Sequence, residues 1–133
     1  MTRSIVYLDS SALLKLIFDE LESDVLATFL GGWPERVASA LARIEVLRIV
    51  RRVNDPQAER EARRVLKAIN LVRIDDGIVT TATTLAPPGL RSLDAIHLAT
   101  ALVFGHDLAG MVTYDRRLTE AAREHGLTVW SPA

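Results

Sequence analysis

The chain has 133 residues, of which 49% are hydrophobic and 25% are charged; its formal net charge is −1 and it contains no cysteine. This length and composition predict one ordinary folded domain over 1–133 and exclude a disordered chain, disulfides and thiolate metal sites. The near-neutral net charge excludes a general attraction to nucleic acid, so any polyanion must bind to a local patch of Lys and Arg.

Apolar runs and capping signals predict helices that alternate with strands. Ser10 or Ser11 is predicted to cap the first helix, Asp55 with Pro56 begins the fourth, and Ser92 caps the sixth. The predicted elements are a strand over 5–8, helices over 11–18 and 22–30, a strand over 36–39, helices over 40–53 and 55–69, a strand over 71–74, helices over 76–84 and 93–104, a strand over 111–113, a helix over 116–125 and a strand over 128–130. This alternation predicts an α/β fold, a three-layer sandwich with a central, mostly parallel sheet flanked by helices.

Two acids follow predicted strands. Asp9 comes directly after the strand over 5–8, and Asp115 follows the strand over 111–113 with one residue between. Ligands of open α/β sheets bind at the carboxyl ends of the strands, so both acids lie where sites form. Each acid also precedes a predicted helix, and helix capping is therefore the alternative interpretation.

Two further acids lie on apolar helices. Glu45 is bracketed by Leu41 and Ile49 at helical spacing, so its carboxylate lies on or beside the buried stripe, where an unpaired acid is costly. A salt bridge between Glu45 and Arg48 is the alternative. Asp94 stands in the first turn of its helix, where the helix dipole alone favours an acid.

If these four acids face the same edge of the sheet, they need a positive charge among them. Like charges cannot share a small site without neutralisation. Because the chain has no cysteine and only three histidines, the natural candidate is a hard divalent cation such as Mg²⁺ or Mn²⁺, which prefers oxygen ligands.

Four motifs occur in order and span the chain, and together they resemble the PIN-domain family, specifically its VapC-type toxins. The motifs are Tyr7–Leu13, Ala40–Val46, Ser92–Ala99 and Val112–Leu118. The resemblance implies that one or two divalent metal ions, Mg²⁺ or Mn²⁺, bind in a pocket formed by Asp9, Glu45, Asp94 and Asp115.

It also implies that a hydroxyl near the first acid supports the site. By its position in the motif this is Ser11 rather than Ser10, with Thr113 as a further candidate.

The resemblance further implies an activity and partners. The expected activity is that of a metal-dependent endoribonuclease, the toxin of a type II toxin–antitoxin pair, in which water activated by the metal hydrolyses an RNA phosphodiester. The expected partners are RNA, an antitoxin whose tail covers the acidic pocket, and a second copy of the chain. Two alternatives stay open: a PIN-like domain that binds or regulates without cutting, and a housekeeping RNA-processing nuclease of the same fold.

Basic residues suggest where RNA could be held. Residues 43–73 contain nine Arg or Lys against four acids, an excess that could contact an RNA backbone. The preferred interpretation of this segment is a solvated helix face with pairs such as Glu59 with Arg63. Arg116 and Arg117, directly after Asp115, are the preferred phosphate contacts.

Three other features complete the prediction. His97, one turn after Asp94, is interpreted as a packed or hydrogen-bonded core residue rather than a metal ligand. The helices over 11–18 and 22–30 carry more apolar residues than one small sheet needs, which indicates an interface. No apolar run approaches the roughly eighteen residues of a membrane span, and the run before Asp9 is too short for a signal peptide, so we expect a cytoplasmic protein.

Overall fold

The computed structural model describes residues 3–133 as strands and helices in alternation. Its elements are β1 (Ile5–Leu8), α1 (Ser10–Ile17), α2 (Ser23–Leu30), β2 (Glu35–Ser39), α3 (Ala40–Val53), α4 (Pro56–Lys67), β3 (Asn70–Val72), α5 (Asp76–Thr84), α6 (Ser92–Leu102), a 3₁₀ turn (Gly105–Asp107), β4 (Leu108–Val112), α7 (Arg116–Glu124) and β5 (Val129–Trp130). Within this described part of the chain, none of the helices combines the length and the apolar character needed to cross a membrane.

The strands form one sheet in the order β3-β2-β1-β4-β5, and every pairing is parallel. Alternate residues of β1 face opposite sides, as the period of a strand requires. Val6 and Leu8 pack with residues of α1 to α4, whereas Tyr7 packs with residues of α6 and α7. The predicted three-layer α/β sandwich is therefore confirmed, with a fully parallel sheet.

The strand order creates a switch point beside β1. From β1 the chain builds outward to β2 and β3, and later it adds β4 and β5 on the other side of β1. In such sheets ligands bind where the direction of winding reverses, at the carboxyl ends of the two central strands. Asp9 follows β1 and Asp115 follows β4 by three residues, so both lie at this switch point.

Two of the predicted helix caps are wrong. Asp9 caps α1, because its side chain accepts the backbone N–H of Ala12, and Ser10 is already helical. Arg91 occupies the cap position of α6 without a side-chain hydrogen bond, and Ser92 is the first helical residue. The cap predicted at Asp55 is confirmed, with Pro56 in the first turn of α4.

Tertiary contacts account for the main difference in strand length. β4 begins at Leu108, three residues before the predicted strand, and includes Gly110. A Cβ at Gly110 would lie 2.6 Å from the ring of Trp130 and 2.7 Å from the carbonyl oxygen of Thr128. Glycine therefore permits β5 to lie against β4, although its propensity alone argues against a strand.

Candidate active site

Asp9 is the buried acid of the site. The residue is 4% exposed. Its Oδ1 atom accepts hydrogen bonds from the Ser11 hydroxyl at 2.7 Å and from the N–H of Ala12 at 3.0 Å, and its Oδ2 atom accepts one from the Thr113 hydroxyl at 2.6 Å. Burial raises the pKa of Asp9, and these donors, together with the charge of His97, offset only part of that effect. Asp9 is therefore both a helix cap and a carboxylate at the switch point whose ionised form is disfavoured by burial.

Ser11 and Thr113 connect the ends of β1 and β4. The Ser11 hydroxyl, which donates to Asp9, also accepts the N–H of Tyr114 at 2.9 Å. The Thr113 hydroxyl, which donates to the same carboxylate, accepts the N–H of Asp115 at 3.0 Å. Both hydroxyls predicted to support the site thus contact Asp9, and both hold the backbone next to Asp115.

Glu45 lies on α3, half-buried, and faces α6. Its Oε1 atom accepts a hydrogen bond from the Ser10 hydroxyl at 2.5 Å and lies 2.9 Å from Nε2 of His97. Burial raises the pKa of Glu45, but the hydrogen bonds from His97 and Ser10 and the charge of His97 leave it lower than usual. The ion pairs of residues 3–133 do not include Glu45 with Arg48, so the salt-bridge alternative is wrong.

His97 joins Glu45 to the core. It is 4% exposed, and its Nδ1 atom lies 2.6 Å from the hydroxyl of Tyr7, a fully buried residue of β1. Burial, followed by the charges of Asp9 and Glu45, keeps the pKa of the Tyr7 phenol well above its usual value. The interpretation of His97 as a hydrogen-bonded core residue is confirmed, and one of its two partners is a predicted site acid.

Asp94 and Asp115 repel one another. Asp94 is half-buried in the first turn of α6, and burial raises its pKa, with a further rise from the charge of Asp115 that His97 and Arg91 do not cancel. Asp9 raises it as well. Asp115 itself caps α7 by accepting the N–H of Leu118 at 3.0 Å. The charges of Asp9 and Asp115 thus both act on the carboxylate of Asp94.

The donor chemistry of this edge fits a hard divalent cation. Within residues 3–133, no Lys or Arg side chain forms an ion pair with any of the four acids, and Glu45 pairs with His97 alone. The same residues contain no group of three acids or histidines already gathered around one point. The carboxylates thus supply suitable oxygen ligands and negative charge that Lys and Arg ion pairs do not offset, but they are not assembled into a finished coordination shell.

The basic residues proposed to contact phosphate lie on the surface. Arg116 and Arg117 are exposed at the start of α7. Arg117 lines a cavity of about 240 Å³ together with Arg91 and Asp94, which places it beside the acidic edge. Their contact with RNA phosphate stays a prediction.

The Arg-rich segment forms a separate surface feature. A cleft of about 890 Å³ between α3 and α4 is lined by Arg43, Arg51 and Lys67 among other residues. The predicted pair of Glu59 with Arg63 is present at 2.8 Å, between two exposed side chains. The solvated-face interpretation therefore holds for that pair, while RNA binding by the cleft stays a prediction.

The contacts of Tyr7 with His97 and of Ser10 with Glu45 were not indicated by the sequence. Tyr7 reads as one apolar residue of a buried strand, and its hydroxyl meets a histidine 90 positions later. Ser10 adjoins Ser11 and carries the same hydroxyl group, yet it donates to Glu45 instead of Asp9. Neither contact has a local signal, because both partners come from helices distant in the chain.

Residues 6–124 match the family model described as PIN domain. Ribonuclease VapC46 of Mycobacterium tuberculosis is 44% identical over 128 residues, which cover 96% of this chain and 98% of that protein. Ribonuclease VapC47 of the same species is 38% identical over 131 residues, which cover 96% of each.

Solved structures share the fold across nearly the whole chain. A toxin–antitoxin complex from Klebsiella pneumoniae contains a chain with a TM-score of 0.74 and 24% identity, with 96% of this chain and 98% of that one covered. VapC20 of Mycobacterium tuberculosis, described as a sarcin–ricin loop cleaving toxin, has a TM-score of 0.73 and 15% identity, with 96% and 99% covered. At these identities the likeness concerns the fold alone.

Proposed function

The chain belongs to the PIN domain family, and from that premise we propose that it is a divalent-metal-dependent endoribonuclease, the toxin of a type II toxin–antitoxin pair. Relatives that are 44% identical over almost the full length are named ribonucleases. The observation that carries the proposal is the acidic edge at the switch point. Four acids, Asp9, Glu45, Asp94 and Asp115, are supplied there, and within residues 3–133 none of them forms an ion pair with a Lys or Arg.

The proposed cofactor is Mg²⁺ or Mn²⁺, one or two ions per site. A bound divalent cation lowers the pKa of a water molecule and neutralises charge that develops on a phosphate. Asp9, Glu45 and Asp94 would hold it, directly or through water, and Asp115 would complete the shell or orient the attacking water. Ser11 and Thr113 keep the Asp9 carboxylate in place by the hydrogen bonds described above.

The nature of the nucleophile determines the product ends. Because the attacking group would be water and not the RNA 2′-hydroxyl, the products are expected to carry 5′-phosphate and 3′-hydroxyl ends. A 2′,3′-cyclic phosphate would contradict this mechanism, since it forms only when the 2′-hydroxyl attacks.

Partner proteins form the second part of the proposal. We infer a homodimer and an antitoxin that covers the acidic edge. The first support is the exposed apolar surface of Leu21, which is 94% exposed, and of Val25, which is 44% exposed. The second is that structures of the same fold include a toxin–antitoxin complex.

The test is RNA cleavage by the purified protein, freed of any co-purified partner, with Mg²⁺, Mn²⁺ or EDTA. Asp94→Asn is compared with Asp24→Asn, which changes an exposed acid in the first turn of α2. We expect metal-dependent cleavage that Asp94→Asn lowers by on the order of 100-fold or more and Asp24→Asn leaves unchanged.

Three results would contradict parts of this proposal. Cleavage that resists EDTA and survives Asp94→Asn would exclude the metal mechanism. No cleavage with any metal would favour a domain that binds without cutting. Cleavage without growth arrest on expression of the wild-type chain would favour a housekeeping nuclease.

A further inference from the structure

Three polar side chains from three elements form one hydrogen-bond network inside the protein. The hydroxyl of Tyr7 on β1 lies 2.6 Å from Nδ1 of His97 on α6, and Nε2 of the same ring lies 2.9 Å from Oε1 of Glu45 on α3. Tyr7 is 0% exposed and His97 is 4% exposed. The Ser10 hydroxyl donates to the same carboxylate oxygen at 2.5 Å.

The chemistry of the carboxylate fixes the direction of the hydrogen bond between His97 and Glu45. An ionised carboxylate can only accept, so Nε2 of His97 carries the hydrogen that is donated to Glu45. In a neutral ring Nδ1 is then the acceptor, and the Tyr7 hydroxyl donates to it. With the ring neutral, each member thus holds the next in a single arrangement.

Packing alone does not require this hydrogen-bond network. Tyr7 lies in an apolar cluster that includes Leu98 and Met111, where a phenylalanine would fill nearly the same volume. Burial of a hydroxyl and an imidazole is unfavourable unless their hydrogen bonds are satisfied. Such a network is expected where it orients a functional group, as outer-shell residues do around metal ligands.

The hydrogen-bond network engages one carboxylate oxygen of Glu45 and leaves the other without a hydrogen bond from residues 3–133. Both hydrogen bonds end on Oε1, and across residues 3–133 no hydrogen bond is made to Oε2. A free glutamate side chain loses rotamer entropy when it binds a ligand. A carboxylate already held at Oε1 loses less, and its second oxygen stays available.

We propose that Tyr7 and His97 are positioning residues that hold the Glu45 carboxylate for the divalent cation. The inference rests on the proposed function, because it takes Glu45 as a metal ligand. Tyr7 and His97 do not contact the metal or the RNA; they act through Glu45.

The first test compares two variants that each remove one buried hydroxyl with a 2.6 Å hydrogen bond. Tyr7→Phe breaks the hydrogen-bond network at His97. Thr100 lies one turn from His97 on α6, and Thr100→Val removes a hydroxyl that donates to the carbonyl of Ile96. Binding of Mn²⁺ alone is measured by electron paramagnetic resonance, and stability by urea unfolding. We expect Tyr7→Phe to weaken Mn²⁺ binding by about 10-fold and Thr100→Val to leave it unchanged.

The second test uses the histidine itself, in metal-free protein. Long-range ¹H–¹⁵N spectra should show the neutral His97 ring as a single Nε2-protonated tautomer in both proteins, because Glu45 accepts that hydrogen in each. Tyr7→Phe should shift the Nδ1 resonance, because Nδ1 loses its hydrogen-bond donor. His97→Gln keeps an N–H donor for Glu45, so it should retain more Mn²⁺ affinity than His97→Leu, with both variants compared at equal folded fraction.

The outcomes separate this inference from the function on which it rests. Wild-type protein that binds Mn²⁺, with Tyr7→Phe binding it equally well, would overturn the positioning role and leave the proposed function intact. An Nδ1-protonated ring in the wild type would overturn it as well. Wild-type protein that binds no Mn²⁺ would overturn the metal site, and with it any role of Tyr7 and His97 toward a metal.

Discussion

The hydroxyl of Thr113 donates a 2.6 Å hydrogen bond to Oδ2 of Asp9 and so joins the ends of two neighbouring parallel strands. Both residues are buried, Thr113 completely. The same hydroxyl accepts the N–H of Asp115, so one oxygen atom links the acid after β1 to the backbone of the acid after β4. Among the hydrogen bonds that lower the pKa of Asp9, the one from Thr113 has the largest effect.

Replacement of this hydroxyl should change both stability and pH dependence. Thr113→Val keeps the shape of the side chain but leaves the Asp115 N–H without its acceptor, so we expect the free energy of unfolding to fall by about 1–3 kcal/mol. The pKa of Asp9 should rise further, which moves the acid limb of RNA cleavage to higher pH. Thr100→Val, the control, should lower stability without moving the limb. An unmoved limb in Thr113→Val would contradict the role assigned to this contact.

Neutralisation of Asp94 should stabilise the metal-free protein. The folded-state pKa of Asp94 is raised by burial and by Asp115. The folded protein therefore holds this proton more tightly than the unfolded chain. Stability is lost as pH rises from the ordinary aspartate value through the raised pKa.

At neutral pH, Asp94→Asn should increase the free energy of unfolding by roughly 0.2–1 kcal/mol, the range for partly solvated charges. Urea unfolding at pH 7 and pH 3 measures this, with Asp24→Asn as control. Saturating Mn²⁺ should reverse the order, because the wild type binds the ion more tightly. If the metal-free wild type were more stable than metal-free Asp94→Asn, the ionised form of Asp94 would not be unfavourable in the folded protein.

The fold was predictable where local signals and tertiary packing agree. Asn54 closes α3 in the left-handed conformation, with φ of 56°, and Asp55 with Pro56 begins α4 as predicted. Predictions failed where a distant contact decided the structure. Gly110 belongs to β4 because the Trp130 ring occupies the space of a side chain, and no residue near Gly110 in the chain indicates this.

The positions of two acids were predictable from the sheet, whereas the side-chain contacts were not. Asp9 and Asp115 could be placed together because the carboxyl ends of parallel strands share one edge of the sheet. The partner of Glu45 could not be identified, because His97 lies 52 positions away and the local alternative, Arg48, was one turn away on the same helix. Hydrogen bonds between elements depend on side-chain directions that no sequence period encodes.

Replacement of the adjacent serines, Ser10 and Ser11, should lower the free energy of unfolding by different amounts. Ser11→Ala removes a donor to Asp9 and leaves the N–H of Tyr114 without its acceptor, so we expect a loss of about 1–3 kcal/mol in the free energy of unfolding. Ser10→Ala removes one hydrogen bond to a carboxylate that keeps its contact with His97, and about 0.5–1.5 kcal/mol is expected. Urea unfolding of the two single variants decides, and an equal or reversed order would contradict the contacts assigned to the two hydroxyls.

Protons and the divalent cation should compete for the acidic edge. The pKa values of Asp9 and Asp94 are raised, by burial in both cases and by Asp115 in the second. Both groups therefore bind protons at a pH where free aspartate is ionised. Burial also raises the pKa of Glu45, but the hydrogen bonds from His97 and Ser10 leave it below its usual value, so Glu45 holds its proton less tightly than a free glutamate.

Because a cation binds the deprotonated carboxylates, metal binding must release protons. The acid limb of RNA cleavage should consequently lie above the ordinary aspartate range. It should move to lower pH by up to about one unit for a tenfold rise in Mg²⁺ concentration. The pH profile measured at two Mg²⁺ concentrations checks this, with Asp24→Asn expected to match the wild type. A limb that stays fixed as Mg²⁺ rises would mean that the group it reports is not a metal ligand, and the assignment of Asp9 and Asp94 to the metal site would then be wrong.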